Sequence, residues 1–255
     1  MTDLDKKRID AIVRFALKED VWTGDITSQA VIDRFLKADG VIISRQEAIA
    51  CGMNMAERVF AAVDCTTRFR PAVSDGDVIR PGMEMAFVGG DAQSILKAER
   101  TALNFMGIMS AVATNTRKLV DAVEGTGIEI YDTRKTIPLH RYLQKYAVTV
   151  GGGRNHRKGL WDMVLIKDNH IRAFSMQTGI TDSARLFPEI IKRAREQAQK
   201  NVRLEVEVET LAECEAALGA RPDVVMLDNM SPELIIKAVE MRKKMISSGD
   251  IRSEE

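Results

Sequence analysis

From Gly127 onward the chain alternates short apolar runs with helical stretches, and that rhythm admits few architectures. The runs are IEIY (128–131), YAVTV (146–150), MVLI (163–166), LEVEV (204–208) and VVMLD (224–228). Between them, residues 183–200 and 211–218 carry apolar positions at helical spacing. Strands alternating with helices call for right-handed crossovers and a parallel sheet, either open or closed into a barrel.

The first hundred residues follow other rules. Leu4, Ile9, Ile12, Val13, Phe15 and Ala16 predict a helix over residues 4–19. TGDITS (23–28) is a turn and cap cluster. DGVIISRQEAIACG (39–52) predicts a strand pair broken by polar residues, and PAVSDGDVIRPGMEMAFVGG (71–90) reads as short strands between Asp-Gly and Pro-Gly turns. From Ser94 to Val123, Leu96, Leu103, Met106, Ala113, Leu119, Val120 and Val123 predict one or two long helices. The expected organisation is an N-terminal α+β domain over 1–110 and an α/β domain over 111–255. The closing MRKKMISSGDIRSEE is polar and is expected to fray.

Lys plus Arg and Asp plus Glu both number 37, so the formal net charge is zero and no global field steers the chain to nucleic acid or membrane. Anion selectivity must come from local clusters. Cys51, Cys65 and Cys214 are few, scattered and odd in number, which argues for a reducing compartment. The charged N-terminus and the absence of any long apolar run predict a cytoplasmic protein.

In parallel α/β architectures ligands bind at the carboxyl ends of the strands. Charged residues gather there. Arg134 and Lys135 follow IEIYDT, His156 and Arg157 follow VGGGRN, Lys167 follows MVLI, and Asp228 ends VVMLD. Period-two alternation puts Glu205, Glu207 and Glu209 on one face. Singly, each has an ordinary reading: a solvated loop cation, a surface histidine, an edge strand facing water, a flexible turn at Gly151–Gly153. The glycine run lacks the spacing of a nucleotide loop. Together they describe a pocket for a polyanion and a divalent cation. Arg offers a planar fork to carboxylate or phosphate, Lys a point charge, and separated carboxylates suit magnesium. No HExxH, cysteine-ligand spacing or GxSxG occurs, which argues against a zinc site and a serine nucleophile.

ERTALNFMGIMSAVATNTR, DTRKT, KYAV, VGGGRNHR, DMVLIKDNHI, EVEVET and LDN-SPE, in this order, resemble the quinolinate phosphoribosyltransferase family from GDITS to about Val239. The resemblance implies an N-terminal α+β domain followed by an incomplete parallel α/β barrel, working as a homodimer or larger assembly. It implies transfer of phosphoribosyl from 5-phosphoribosyl-1-pyrophosphate to quinolinate with Mg2+, giving nicotinate mononucleotide, pyrophosphate and carbon dioxide. Arg134, His156, Arg157 and Lys167 would hold the quinolinate carboxylates. Arg100 would reach a neighbouring subunit's site, Lys135 and Lys167 would contact the phosphoribosyl donor, and Glu207 and Asp228 would serve the ribose and magnesium.

Three departures stand out. Leu139-His140-Arg141 replaces Gly-Leu-Arg, with an expected change in loop shape. Ala111 stands where the family has a glycine, adding a methyl at an expected close approach. The family's phosphate-binding EASGGI and following strand are expected to be missing, since only SSGDI (247–251) echoes them, and a sheet edge would then stay open. Two other readings fit the same residues: a related phosphoribosyltransferase-like protein of molybdenum-transport type, and a non-catalytic anion-binding paralogue.

Overall fold

The computed structural model describes residues 5–248. Its contacts divide the chain after His156 into a first unit, Met1–His156, and a second, Arg157–Glu255. Among the described residues no helix is long and apolar enough to cross a membrane.

The first unit opens with α1 (Lys6–Val21), begun by Asp5, whose carboxylate accepts the Lys7 N–H at 2.9 Å. Leu4 lies outside the described residues. The TGDITS cap is realised in α2 (Ile26–Val31), where Asp25 accepts the Ser28 N–H at 3.0 Å. Then come β1 (Lys37–Ile43), β2 (Ala48–Ile49), α3 (Met53–Val63), β3 (Arg68–Pro71), β4 (Val78–Ile79) and β5 (Glu84–Asp91). The expected pairing of β1 with β2 is corrected. β1 pairs antiparallel with β5, which also takes β3, while β2 pairs with β4. β5 is long enough to match all of β1, whereas β2 offers only two residues.

A single helix, α4 (Ala92–Ala122), follows and runs unbroken past residue 110. Ala98, Ala102, Phe105, Met106, Met109 and Ala113 form its buried stripe, packed with Met55, Val59 and Phe60 of α3. Ala111 is exposed, so its methyl meets no close approach.

The run YAVTV is not a strand. It lies in α5 (Arg141–Val150), where Leu143, Tyr146, Ala147 and Val150 recur at helical spacing and join the same core. IEIY is likewise corrected: only Tyr131 makes an isolated parallel bridge, to Arg154, and Ile128 is exposed, so nothing buries a second face. Arg134, Lys135 and His156 therefore sit on loops rather than at strand ends.

The glycine run after α5 is a packing device. A Cβ on Gly151 would lie 2.4 Å from the Ala113 carbonyl oxygen and 2.7 Å from Thr116 Cβ, so only glycine lets the turn sit on α4. Arg117 Nε donates to the Gly151 carbonyl at 3.0 Å and fastens it there.

The second unit contains β6 (Val164–Ile166), α6 (Asp168–Thr178), α7 (Ser183–Gln197), β7 (Leu204–Val208), α8 (Leu211–Gly219), β8 (Val224–Leu227) and α9 (Pro232–Ser248). The strands are parallel in the order β6-β7-β8, as the α/β rhythm predicts, and among the described residues β6 and β8 are the edges. Leu204, Val206, Val208 and Ile166 pack one face against Phe187, Ile190 and Ile191 of α7 and Cys214 and Ala217 of α8. α8 begins with a reciprocal cap: Thr210 Oγ1 accepts the Glu213 N–H and Glu213 Oε2 accepts the Thr210 N–H, both at 3.2 Å. Over residues 241–248 the expected fraying is corrected, because Leu234, Ala238, Met241 and Met245 form a shielded stripe that carries α9 to Ser248, and the rest of that stretch, 249–255, lies outside the described residues. Of SSGDI, Gly249–Ile251 lie outside the described residues.

Two tests follow from this packing. Gly151→Ala should destabilise the protein by about 1–3 kcal/mol, because neither a helix carbonyl nor a Thr116 Cβ can yield without moving α4. An unchanged denaturant midpoint would show that the turn has slack. The second concerns Asp223, which pairs with Arg195 at 2.8 Å and accepts the Leu204 N–H at 2.5 Å. Burial pushes its carboxyl up, but the Arg195 guanidinium and that amide outweigh burial and leave it below its ordinary value. Its contribution is thus complete above about pH 4, the ordinary carboxylate value, and is lost as pH falls through the lowered one. Asp223→Asn should remove that part of the acid limb of stability. An identical acid limb in the two proteins would rule the pairing out as a source of stability.

Candidate active site

The second unit gathers four of the residues singled out in the sequence. In the register of the sheet, Leu165 pairs with Glu205 and Ile166 with Val206, so Lys167 comes level with Glu207. On the other side Glu207 pairs with Met226, and the Asp228 N–H donates to the Val208 carbonyl at 2.9 Å. Side chains of residues in register share a face. Lys167, Glu205, Glu207 and Asp228 therefore lie on the face opposite the α7 and α8 layer, with Lys167, Glu207 and Asp228 at the strands' carboxyl ends.

β7 is the middle strand, which settles the open reading of its acids. Glu205 is 3% and Glu207 8% exposed, so this is not an edge strand facing water. Glu209 departs from the row. It lies beyond β7, is exposed, and donates its N–H to Glu213 Oε2 at 2.8 Å in the α8 cap. Glu207 forms an ion pair with the Lys167 ammonium, whose own side chain is 41% exposed. Asp228 accepts a hydrogen bond from Asn229 Nδ2 at 2.9 Å.

Lys167 is set by the start of α6: its backbone N–H donates to His170 Nδ1 at 3.0 Å. His170 is thus a helix-capping group. Arg157 opens the unit and is buried. The loop after it is closed by Asp162, which accepts the Lys158 and Gly159 N–H groups at 2.7 and 3.0 Å. Burial raises that carboxyl, and the two amides more than offset it, leaving it below its ordinary value.

The first unit holds a second set. Arg134 and Lys135 lie on the 132–136 loop, whose turn is shaped by the Lys135 N–H on Thr133 Oγ1 at 3.0 Å and the Thr136 N–H on the Arg134 carbonyl at 2.9 Å. Arg141 Nε ties Thr136 Oγ1 to the start of α5 at 3.1 Å. Arg134 is half-buried, and its Nε is enclosed without a hydrogen-bond partner, while Lys135 is exposed. Arg100 is exposed on α4.

Sequence reasoning missed Asp132 and Lys145. Both side chains are buried, 7% and 6% exposed, and they form an ion pair. Lys145 also donates to the His156 carbonyl at 3.1 Å, and Asp132 accepts the His156 N–H at 2.9 Å. Leu139, in place of a glycine, takes a positive φ of 67° and is 92% exposed, which places its side chain in solvent.

A groove of about 700 Å³ beside α1 and α4, lined by Ile12, Phe15, Phe105 and Leu139, contains none of the charged residues considered above. The two buried cysteines offer no nucleophile of ready reactivity: burial pushes the Cys51 thiol up, with the Asp75 charge adding to it, and burial raises Cys214. What remains are a point cation, Lys167, paired with Glu207 in the second unit, and the cations of the 132–136 loop in the first, groups suited to binding anions and to stabilising charge that develops in a reaction.

Comparison with known proteins agrees with this chemistry. The family model described as quinolinate phosphoribosyl transferase, N-terminal domain, matches residues 25–110, and the C-terminal domain model matches 112–254. The chain is 36% identical over 239 residues to a probable nicotinate-nucleotide pyrophosphorylase [carboxylating] of Bacillus subtilis, covering 92% of this chain and 79% of that one. It is 38% identical over 231 residues to the chloroplastic nicotinate-nucleotide pyrophosphorylase [carboxylating] of Arabidopsis thaliana, covering 87% of this chain but 63% of that relative, less than two thirds of its length. The solved structure of NadC from Streptococcus pyogenes superposes with a TM-score of 0.88 at 36% identity, over 99% of this chain and 84% of that one. A nicotinate-nucleotide pyrophosphorylase from Francisella tularensis gives 0.86 at 37%, over 95% and 82%. With family models matching both of its halves and relatives at this identity over most of their length, the chain belongs to the quinolinate phosphoribosyl transferase family.

Proposed function

We propose that the chain transfers a phosphoribosyl group from 5-phosphoribosyl-1-pyrophosphate to quinolinate with decarboxylation, as a step of NAD biosynthesis. The observation that carries this reading is the 36% identity over 239 residues to the Bacillus subtilis protein named probable nicotinate-nucleotide pyrophosphorylase [carboxylating]. The division into domains 1–110 and 111–255 belongs to the same proposal and is supported by two family models that meet between residues 110 and 112. So does a cytoplasmic location, supported by three free thiols.

In the proposed reaction the pyridine nitrogen attacks the anomeric carbon of the ribose as the bond to pyrophosphate breaks and its electrons leave with the pyrophosphate. Positive charge grows on the ribose and negative charge on the departing group. Glu207 and Asp228 stabilise the first, and Lys135 and Lys167 the second. The carbon–carboxylate bond beside the quaternised nitrogen then breaks and carbon dioxide leaves; the electron pair stays on the ring carbon, stabilised by the adjacent positive nitrogen, until a proton from solvent forms the carbon–hydrogen bond of the product. Arg134, His156, Arg157 and Lys167 hold the two carboxylates of the acceptor, with no side chain acting as a covalent nucleophile.

Magnesium is part of this proposal. Among the described residues no three acidic, histidine or cysteine groups gather as a closed cage. Magnesium needs none, because it binds through one or two carboxylates together with substrate phosphates and retained waters. Glu207 and Asp228 fit that role, and the ion would supply neutralisation of pyrophosphate charge. Assembly as a homodimer with Arg100 crossing to the neighbouring site completes the reading, and it is supported by the exposure of Arg100 on α4.

Pyrophosphate release from the donor should require quinolinate and yield nicotinate mononucleotide; absence of turnover with both substrates would sink the reading. Arg134→Lys keeps the charge but loses the fork, and should weaken quinolinate binding by about 1.5–3 kcal/mol. Equal affinity in parent and variant would remove Arg134 from the clamp. For the shared site, an inactive Arg100→Ala chain mixed with an inactive Lys135→Ala chain should regain activity, since one site of each mixed dimer would be intact. No recovery after proven subunit exchange would count against a composite site.

A further inference from the structure

A buried ion pair is a poor source of stability, since desolvation of two charges consumes most of their attraction and a well-packed apolar pair often does as well. Lys145 and Asp132 are nonetheless enclosed together on the inner side of α5, 6% and 7% exposed. What an apolar pair could not do is visible in their remaining bonds. Asp132 Oδ1 accepts the His156 N–H at 2.9 Å, and Lys145 Nζ donates to the His156 carbonyl at 3.1 Å, so the pair grips both main-chain polar groups of one residue. The Asp132 N–H in turn donates to the Arg154 carbonyl at 3.0 Å. The Asn155 amide is oriented by its neighbours: with its nitrogen inward it donates to the Lys145 carbonyl at 3.0 Å and to Asp132 Oδ2 at 2.6 Å. Lys145 itself is fixed because Leu143, Tyr146 and Ala147 beside it are locked in the core with α4.

We propose that the Lys145–Asp132 pair is a positioning element that sets the 132–136 loop against the 154–156 loop, and with it the placement of Arg134 and His156. Resting on the function proposed above, it determines the grip on a pyridine dicarboxylate without touching it. Asp132 begins the loop that carries Arg134 and Lys135, while the same carboxylate holds the main chain of His156. A shift of one loop is therefore transmitted to the other through two bonds. Misplacement of a binding group by about 1 Å can cost up to about a hundredfold in rate.

The test separates geometry from stability. Asp132→Leu combined with Lys145→Met removes both charges and retains apolar volume, so it should fold, with a melting temperature lowered only by the lost hydrogen bonds to His156 and Asn155. Its KM for quinolinate should nevertheless rise about ten- to a hundredfold. Asn155→Ala, at an exposed position, folds regardless of the pair and should raise the quinolinate KM severalfold. Parental quinolinate KM in the folded double variant, or in Asn155→Ala if the double variant does not fold, overturns the proposal. Should the parent itself neither bind nor consume quinolinate, the function proposed above has failed. The loop coupling is then decided by amide hydrogen exchange. Peptides spanning 130–137 and 152–156 lose protection together in Asn155→Ala if the proposal holds, and unchanged protection in both overturns it.

Discussion

A charge removed from water must be met by another group inside the fold, and this requirement organises both sets of candidate residues. The two units meet it differently. Asp132 and Lys145 are enclosed together and hold the main-chain N–H and carbonyl of His156. Removing either one alone would strand a buried charge at a cost of about 3–5 kcal/mol. Glu207 is as deeply buried, but its partner Lys167 is 41% exposed. Solvent screens that attraction, and the lysine end of the pair can be drawn toward another anion at much smaller cost. The first pair is built to hold a shape and the second to exchange partners.

The parallel half of the fold was legible because its strands obey simple rules. MVLI, LEVEV and VVMLD are short, apolar on the face that meets α7 and α8, and separated by stretches of clear helical period. YAVTV misled for a physical reason. Its helical stripe shows only when the window reaches back to Leu143, and Lys145 interrupts the apolar face with a charge that is buried all the same. A reading that sorts lysine with solvent shortens the helix and leaves a β-branched remnant that imitates a strand. IEIY has strand composition but only a single bridge partner, and partners are a property of the fold.

The site divides along the same line. Lys167, Glu207 and Asp228 were legible because strand ends and period two place them without knowledge of packing. Glu209 failed since β7 stops at Val208 and the α8 cap takes the next amide. Asp132 and Lys145 look like ordinary solvated residues, and nothing local says that one carboxylate will bridge two loops. The three glycines showed their identity but not their purpose. Only the approach of Gly151 to the Ala113 carbonyl shows that this turn serves helix packing.

The neutrality of the chain gives the buried pair a further consequence. With 37 basic and 37 acidic residues, attraction for an anion depends on how charges are spent locally. An acid placed beside Arg134 and Lys135 to fix their loop would ordinarily weaken their pull on a carboxylate or phosphate. Asp132 does not, because Lys145 cancels its charge within a shell of protein, and a neutral pair contributes little field beyond a few ångströms. The loop thus receives the directional bonds of a carboxylate while its cations keep their full charge for a ligand. An asparagine at 132 could supply the acceptor without the charge but would leave the Lys145 ammonium buried and unmatched. A leucine would spare the desolvation but leave the His156 amide unheld. Among these, only the acid–base pair satisfies the loop geometry, the buried charge and the surface potential together.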